Sequence, residues 1–324
     1  MEQGAKPILS HKVIQAIAAV FILLTVLTIM YPPDIEFFKT ISEFAVQLMF
    51  GLLFMSLLLL VFNQTQLMFV SMMACGFLAF FLKTASNTNL VLPTDNNLPK
   101  IKVAHFNLSS FELFDPEFKE QINSTKSDVI SFQEYTPDWD AFIPNELKDS
   151  FPFVYKMVRI DLFGMAIFSK RRIKDVNIFH YKDIPNLHLK VNSGIQDVNL
   201  ISSYIVPPSL ANKKNQPEEH LNELAKYIGK LKNPTIALGD FNQVYWTNGI
   251  KEFRDKTNFS NSRRTISITS KAPYDHIFYS NQLECINFLE INDKSQNHLG
   301  IAGTFQNKTT VSNPAILRSA KYND

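Results

Sequence analysis

Pro234-Thr-Ile-Ala-Leu-Gly-Asp-Phe-Asn242 is the stretch on which the reading of this chain turns. An apolar run of strand length ends at Gly239, and Asp240 and Asn242 follow two residues apart. Side chains at i and i+2 of a strand share a face. A strand continuing to Asn242 would therefore set a carboxylate beside a carboxamide at the end of a buried strand. Polar atoms are costly there unless they are paired. Asp240 offers an acceptor or a base, and Asn242 offers both donor and acceptor. The pair suits a phosphate, a water or a hard cation.

The surrounding chain has 324 residues, 46% of them hydrophobic, and a formal net charge of +2. That near-neutral balance argues against attraction to nucleic acid by bulk charge alone. Cys75 and Cys285 lie far apart, in neither a disulfide framework nor a zinc spacing, and both read as free cysteines. The sequence has no P-loop, no Rossmann glycine pattern and no internal repeat.

Apolar residues concentrate at the start. Residues 13–31 and 44–62 each run for about 19 residues without a charge, close to the roughly 20 that cross a bilayer. A shorter stretch covers 67–82. Three transmembrane helices are expected over 13–31, 44–62 and 67–82, making 1–84 a membrane region. Met30-Tyr-Pro-Pro33 offers no small-residue cleavage site, so the first stretch reads as a retained helix. Lys6 and Lys12 favour a cytoplasmic N-terminus. Three crossings then place the rest of the chain on the periplasmic or extracellular side of a cell (inner) membrane, although Lys83, Lys100 and Lys102 pull against that orientation. Residues 85–99, with Pro93 and Pro99, read as a linker, 100–306 as one soluble domain and 307–324 as a polar tail.

Within the soluble part, strands are expected at 101–107, 128–132, 163–169, 173–180, 198–206, 274–279 and 301–305, besides the strand holding Asp240. Asp115-Pro-Glu117 reads as a helix start, and 217–232 as an amphipathic helix with Leu221, Leu224, Ile228 and Leu231 on one face. Many strands with few helices and no strict βαβ alternation suit an α+β sandwich: two sheets face to face with helices outside. Polar residues recur at strand ends: Asn107, Glu134, Tyr204, Asp240, Asp275 and Asn297-His298. Each alone has an ordinary structural reading, and their joint order carries the weight. His105 and His276 read as packing residues.

That order resembles the endonuclease/exonuclease/phosphatase superfamily, the deoxyribonuclease I-like fold. The matching pieces are Val103-Ala-His-Phe-Asn107, Asp128-Val-Ile-Ser-Phe-Gln-Glu134, Gly164-Met-Ala-Ile-Phe-Ser169, Gly239-Asp-Phe-Asn242, Tyr274-Asp-His-Ile-Phe278 and Asn297-His298. Apolar helices ahead of the domain, together with Phe151-Pro-Phe153, Phe163-Gly-Met165 and Pro207-Pro208, resemble its bacterial membrane-tethered branch. The resemblance implies a four-layered α/β/β/α sandwich and divalent-metal-dependent hydrolysis of a phosphate ester. It implies Mg²⁺ or Mn²⁺ at Glu134, with Asn107 and Asn297 assisting, and Asp240, Asn242, Asp275, His298 and Tyr204 as catalytic residues. In that scheme Asp240 orients or deprotonates water, Asn242 holds the phosphate or that water, and His298, oriented by Asp275, stabilises the transition state. Two residues depart from the pattern. Asn297 stands where the family usually has Asp and so can take no proton, and Tyr204 stands where the tethered branch usually has His.

Three functions compete. One is a phosphodiesterase acting on nucleic acid, favoured by Lys170-Arg-Arg172, Lys174, Arg263-Arg264 and Lys271. Another is a lipid-headgroup phosphohydrolase, favoured by the attachment to a bilayer. The third is a non-catalytic binding module that kept the fold, suggested by Asn297 alone. No obligate protein partner is evident in the sequence.

Overall fold

The computed structural model describes residues 11–33, 35–87, 93–113, 115, 117–194, 196–207, 210–211, 216–267, 272–295 and 297–308. Lys6, Lys271, Gln296 and most of the expected tail lie outside them. The chain forms two compact units. One joins Met1–Leu90 to two later segments, Gln243–Lys251 and Arg264–Pro273; the other holds Val91–Asn242, Glu252–Arg263 and Tyr274–Asp324.

The first unit is built on α1 (His11–Met30), α2 (Glu36–Ser42), α3 (Ala45–Val61) and α4 (Thr65–Ser86). Among the described residues two helices, Lys12–Met30 and Thr65–Ser86, are long and apolar enough to cross a membrane. The middle helix of the expected three has 17 residues, at the short end of the spanning range. The shortest expected span, 67–82, lies in the longest of the described helices, because Thr65, Gln66 and residues 83–86 continue its turns. The short helix α2 was not expected. Phe21, Phe54, Phe69 and Phe80 point outward, exposed. The inward stripes pair small residues with aliphatic ones: Ala45, Val46, Met49, Leu52 and Ser56 on α3, and Ser71, Ala74, Leu78, Leu82 and Ser86 on α4. Small side chains let backbones approach, and Ser71 Oγ donates to the Leu52 carbonyl at 2.7 Å. The later segments join this unit through polar contacts. Trp246 Nε1 donates to the Ser42 carbonyl at 2.8 Å, Lys83 Nζ donates to the Arg264 carbonyl, and Lys251 Nζ lies 4.6 Å from the Phe81 ring centre.

The second unit is a sandwich of two six-stranded sheets. Its strands are β1 (Lys100–Asn107), β2 (Val129–Gln133), β3 (Phe153–Met157), β4 (Met165–Ser169), β5 (Ile173–Tyr181), β6 (Ile184–Asn192), β7 (Asp197–Ser203), β8 (Thr235–Asp240), β9 (Phe259–Asn261), β10 (Asp275–Ser280), β11 (Leu283–Asn292) and β12 (His298–Asn307). The orders are β11-β12-β1-β2-β4-β3 and β5-β6-β7-β8-β10-β9. Each sheet has one parallel pair, β1–β2 and β7–β8, among antiparallel neighbours. Parallel neighbours need a crossover, and α5 (Phe118–Ser124) and α7 (Pro217–Ile228) lie in those two connections. Phe118 and Ile122 of α5 and Trp139, Ile143 and Leu147 of α6 (Pro137–Leu147) cover the outer face of the first sheet, against Ala104, Phe106, Ile130 and Phe132. On the second sheet's outer face, Tyr227 of α7 stacks on Phe179 at 3.7 Å. The expected two-sheet α+β sandwich is therefore present.

Alternation along the central strands places the site. Ile101 and Val103, Val129, Val198 and Leu200, Ile236 and Leu238, and Ile277 and Tyr279 all enter the core between the sheets. Stepping two residues along the same faces reaches His105 and Asn107, Ser131 and Gln133, Ser202, Asp240 and Asp275. Each strand thus switches from aliphatic to polar at the same end of the core.

Candidate active site

The cluster draws on both sheets. Asn107 ends β1, and its Nδ2 donates to Glu134 Oε1 at 2.9 Å and to Asp240 Oδ2 at 3.2 Å. Its own Oδ1 accepts from Ser109 N at 3.0 Å and Ser109 Oγ at 2.8 Å, which fixes the carboxamide. Glu134 follows β2 with φ of 57°. A left-handed backbone is uncommon outside glycine and concentrates at functional sites.

The opening motif behaves differently from a continued strand. β8 stops at Asp240, and Asn242 has φ of 49°. Asn242 N donates back to Asp240 Oδ1 at 2.8 Å, the side-chain turn typical of Asp. Asp240 and Asn242 are neighbours through this turn and not through alternation. Asn242 Nδ2 is tied to the Ile205 carbonyl at 2.8 Å. Gly239 makes the approach of the sheets possible: its φ is 145°, and a Cβ there would lie 2.1 Å from the Ser203 carbonyl and 2.6 Å from Gln133 Nε2. Gln133 Oε1 accepts from Asp240 N at 2.8 Å, fastening β8 to β2 across the core.

The other half of the cluster is Asp275 with two histidines. Asp275 is directly opposite Asp240 in the β8–β10 register. Its Oδ2 lies 2.7 Å from His298 Nε2, and its Oδ1 lies 3.5 Å from Nε2 of the fully buried His105. Burial opposes ionisation of Asp275, but the imidazole of His105 and then the bond to His298 outweigh it and hold the carboxyl well below the usual range. Asp240 goes the other way. Burial first, and then the charge of Asp275, raise it to about 7, against hydrogen bonds from Asn242 and Asn107. Burial and the charges of Asp240 and Glu134 likewise push the Tyr204 phenol upward, against a hydrogen bond with Asn242.

The structure thus brings together Asn107, Glu134, Tyr204, Asp240, Asn242, Asp275 and His298. Asn297 is exposed and engaged elsewhere: its N and Nδ2 donate to the carboxylate of Asp293, at 2.7 and 2.8 Å. His276 packs between Phe241 and Phe278, as expected. Gln133 and His105 complete the cluster without having been singled out for it. The signal for Gln133 was its place beside Glu134. For His105 it was a shared strand face with Asn107.

Among the described residues no group of three or more His, Cys, Asp or Glu side chains is arranged to hold a metal. That argues against a closed zinc-type site. A magnesium-type cation is bound by one or two carboxylates with water and substrate oxygens; Glu134 can supply such a carboxylate, while Asn107 turns its NH₂ toward Glu134 and keeps its oxygen on Ser109. The amide NH₂ of Asn107, set between two carboxylates, marks where positive charge is favoured.

Fold and site together define an α+β sandwich of the deoxyribonuclease I type. The chain belongs to the endonuclease/exonuclease/phosphatase family, whose model matches residues 104–297. It thereby joins a family of phosphate-ester hydrolases. Solved structures share the fold at low identity. A family member from Beutenbergia cavernae aligns with TM-score 0.50 and 13% identity, covering 64% of this chain and 72% of that one. The catalytic domain of human Nocturnin, with a bound sulfate anion, aligns with TM-score 0.50 and 17% identity, over 67% and 97%. ANGEL2, a 2′,3′-cyclic phosphatase in complex with adenosine-2′,3′-vanadate, aligns with TM-score 0.50 and 14% identity, over 67% and 98%. No curated protein matches the sequence of this chain.

Proposed function

We propose that the chain is a membrane-anchored, divalent-metal-dependent phosphodiesterase that hydrolyses its substrate by attack of water. One observation carries this reading: Asn107, Glu134 and Asp240, from three strand ends in two sheets, lie in hydrogen-bond contact beside the Asp275–His298 pair. Glu134 would hold Mg²⁺ or Mn²⁺, with Asn107 assisting by orienting its carboxylate. When bound, the cation offsets negative charge on the phosphoryl oxygens. Asp240, raised toward neutrality, is suited to take a proton from water. Asn107 and the Asn242 N–H fix its two oxygens. His298 has Nε2 committed to Asp275, which orients the ring toward a phosphoryl oxygen. Tyr204, kept protonated by burial and nearby carboxylates, is a hydroxyl donor for phosphate. The sulfate of Nocturnin and the vanadate of ANGEL2 are tetrahedral or phosphoryl-like anions bound by proteins of this fold.

The anchor would be α1 and α4, with α3 as a third span, and the catalytic domain on the periplasmic or extracellular side of the cell (inner) membrane. The outward apolar residues of these helices favour lipid contact. That attachment supports a second substrate class, lipid headgroups, beside nucleic acid.

The test is turnover by the full chain in detergent, with Mg²⁺ or Mn²⁺, on an aryl phosphodiester, DNA, RNA and phospholipid vesicles. Turnover lost in Glu134→Ala and Asp240→Ala is expected, and the preferred substrate separates the nucleic-acid and headgroup readings. No turnover on any substrate would overturn the proposal, as would wild-type rates in both variants.

A further inference from the structure

His105 is a polar intrusion in an apolar place. On the inner face of β1 it follows Ile101 and Val103 and precedes Asn107, and its ring is fully buried. Both ring nitrogens are shielded from water and, among the described residues, neither meets hydrogen-bond geometry. A leucine at this position would pack the core without placing polar atoms there. The charged group within ion-pair range is the Asp275 carboxylate, at 3.5 Å from Nε2.

Asp275 needs such a partner. It is buried, and it faces Asp240 across the β8–β10 ladder. Two carboxylates directly opposite one another repel. Only one of its oxygens is served by His298. A carboxylate free to swing away from Asp240 would carry that hydrogen bond with it, and the His298 ring would lose its orientation.

We propose that His105 is a positioning residue that braces one oxygen of Asp275 so that the other stays on His298, giving a buried row His105–Asp275–His298 anchored in both sheets. His105 comes from β1, Asp275 from β10 and His298 from the start of β12, so the row also ties the sheets together. The strong depression of the Asp275 carboxyl, caused in part by His105, agrees with this geometry. The effect on turnover rests on the phosphodiesterase reading, whereas the effect on the Asp275–His298 bond does not.

The experiment compares His105→Met with His105→Gln in the full chain in detergent. Both side chains are unbranched and of similar size, and only Gln keeps a donor. With ¹⁵N-labelled histidine, the His298 Nε2 proton should give a downfield resonance in the wild type and in His105→Gln. It should move or vanish in His105→Met. On an aryl phosphodiester, His105→Met should lower kcat by about 10–100-fold with KM within about 2-fold, the range for removing a group that orients a site residue. His105→Gln should recover most of that loss. A folded His105→Met protein with an unchanged His298 resonance overturns the proposal, whatever the turnover. If His105→Met does not fold, His105→Gln and His105→Asn decide: a resonance lost even in His105→Gln overturns it, and one kept there supports it. If the wild type turns over nothing, the resonance alone decides whether the brace exists, and the enzymatic reading fails separately.

Discussion

Asp240 and Asp275 are a cross-strand pair, yet their surroundings drive them in opposite directions. The Asp240 side of the site supplies neutral donors, Asn107 and the Asn242 N–H, and a further carboxylate, Glu134. The Asp275 side supplies two imidazoles. Neutral donors satisfy oxygens without offsetting charge, so Asp240 rises toward neutrality, while the imidazoles keep Asp275 ionised. Two adjacent and chemically identical groups are thus driven apart, one raised toward neutrality and the other held ionised. The difference lies in what faces them and not in their own chemistry.

Replacing Asp240, the proposed base, should have the largest effect. Asp240→Asn keeps the shape and is expected to lower kcat by roughly 10³-fold, while Asp275→Asn, acting through His298, should lower it by roughly 10²-fold, within the range for positioned proton-transfer groups. Equal losses in steady-state kinetics would erase the distinction between the two sides.

Next in size is the backbone under Asp240. Gly239→Ala would force an L-residue to φ of 145° with its Cβ against the Ser203 carbonyl. A loss of about 3 kcal/mol or more in denaturant unfolding is expected. Little loss would mean that the sheets can separate at Gln133 without consequence.

Stability against pH gives a comparison of opposite signs in chelator-containing buffer. Asp240 has a raised folded pKa, so between an unfolded value near 3.9 and about 7 the native protein binds more protons, and stability falls as pH rises through that window. Asp275 has a depressed one, so its contribution is present above the unfolded value and is lost as pH falls through the acid range. At pH 8 the Tm of Asp240→Asn should exceed that of the wild type by a few degrees, and that of Asp275→Asn should fall below it. The Asp240→Asn advantage should shrink by pH 5. Shifts of the same sign in both variants would refute the assignment.

The smallest effect is expected at Asn297, whose amide is held by Asp293. Asn297→Asp places two carboxylates together and should loosen that turn. Turnover should change by less than about 5-fold on the scale of an exposed substitution. A large gain would show that position 297 reaches the Glu134 cluster.

Much of this site was legible because the chain repeats one device: an aliphatic strand whose inner face turns polar at one end. Asn107, Asp240 and Asp275 all follow that pattern. The strand-long reading of Asp240 and Asn242 failed because the Asp carboxylate competes for the backbone N–H two residues on and turns the chain. His105 went unrecognised because a single buried histidine on a strand looks alike whether it packs or braces, and the difference rests on Asp275, which lies 170 positions away. Strands β3, β6, β9 and β11 were not read at all, β9 because its three residues are too few to show a period. β3 and β11 are edge strands with mostly exposed or half-exposed side chains, which weakens the period of two, and β6 is buried almost throughout, which removes it.

Trp246 stands four residues after Asn242 and has its indole hydrogen on the carbonyl of Ser42, in the unit that the first ninety residues begin. A fragment started after residue 90 for ease of handling would therefore differ from the full chain by more than the loss of its first helices. It would leave the Trp246 indole without its acceptor, four residues along the chain from the Asp240–Asn242 turn, so an inactive fragment would indict the cut before it indicted the proposed chemistry.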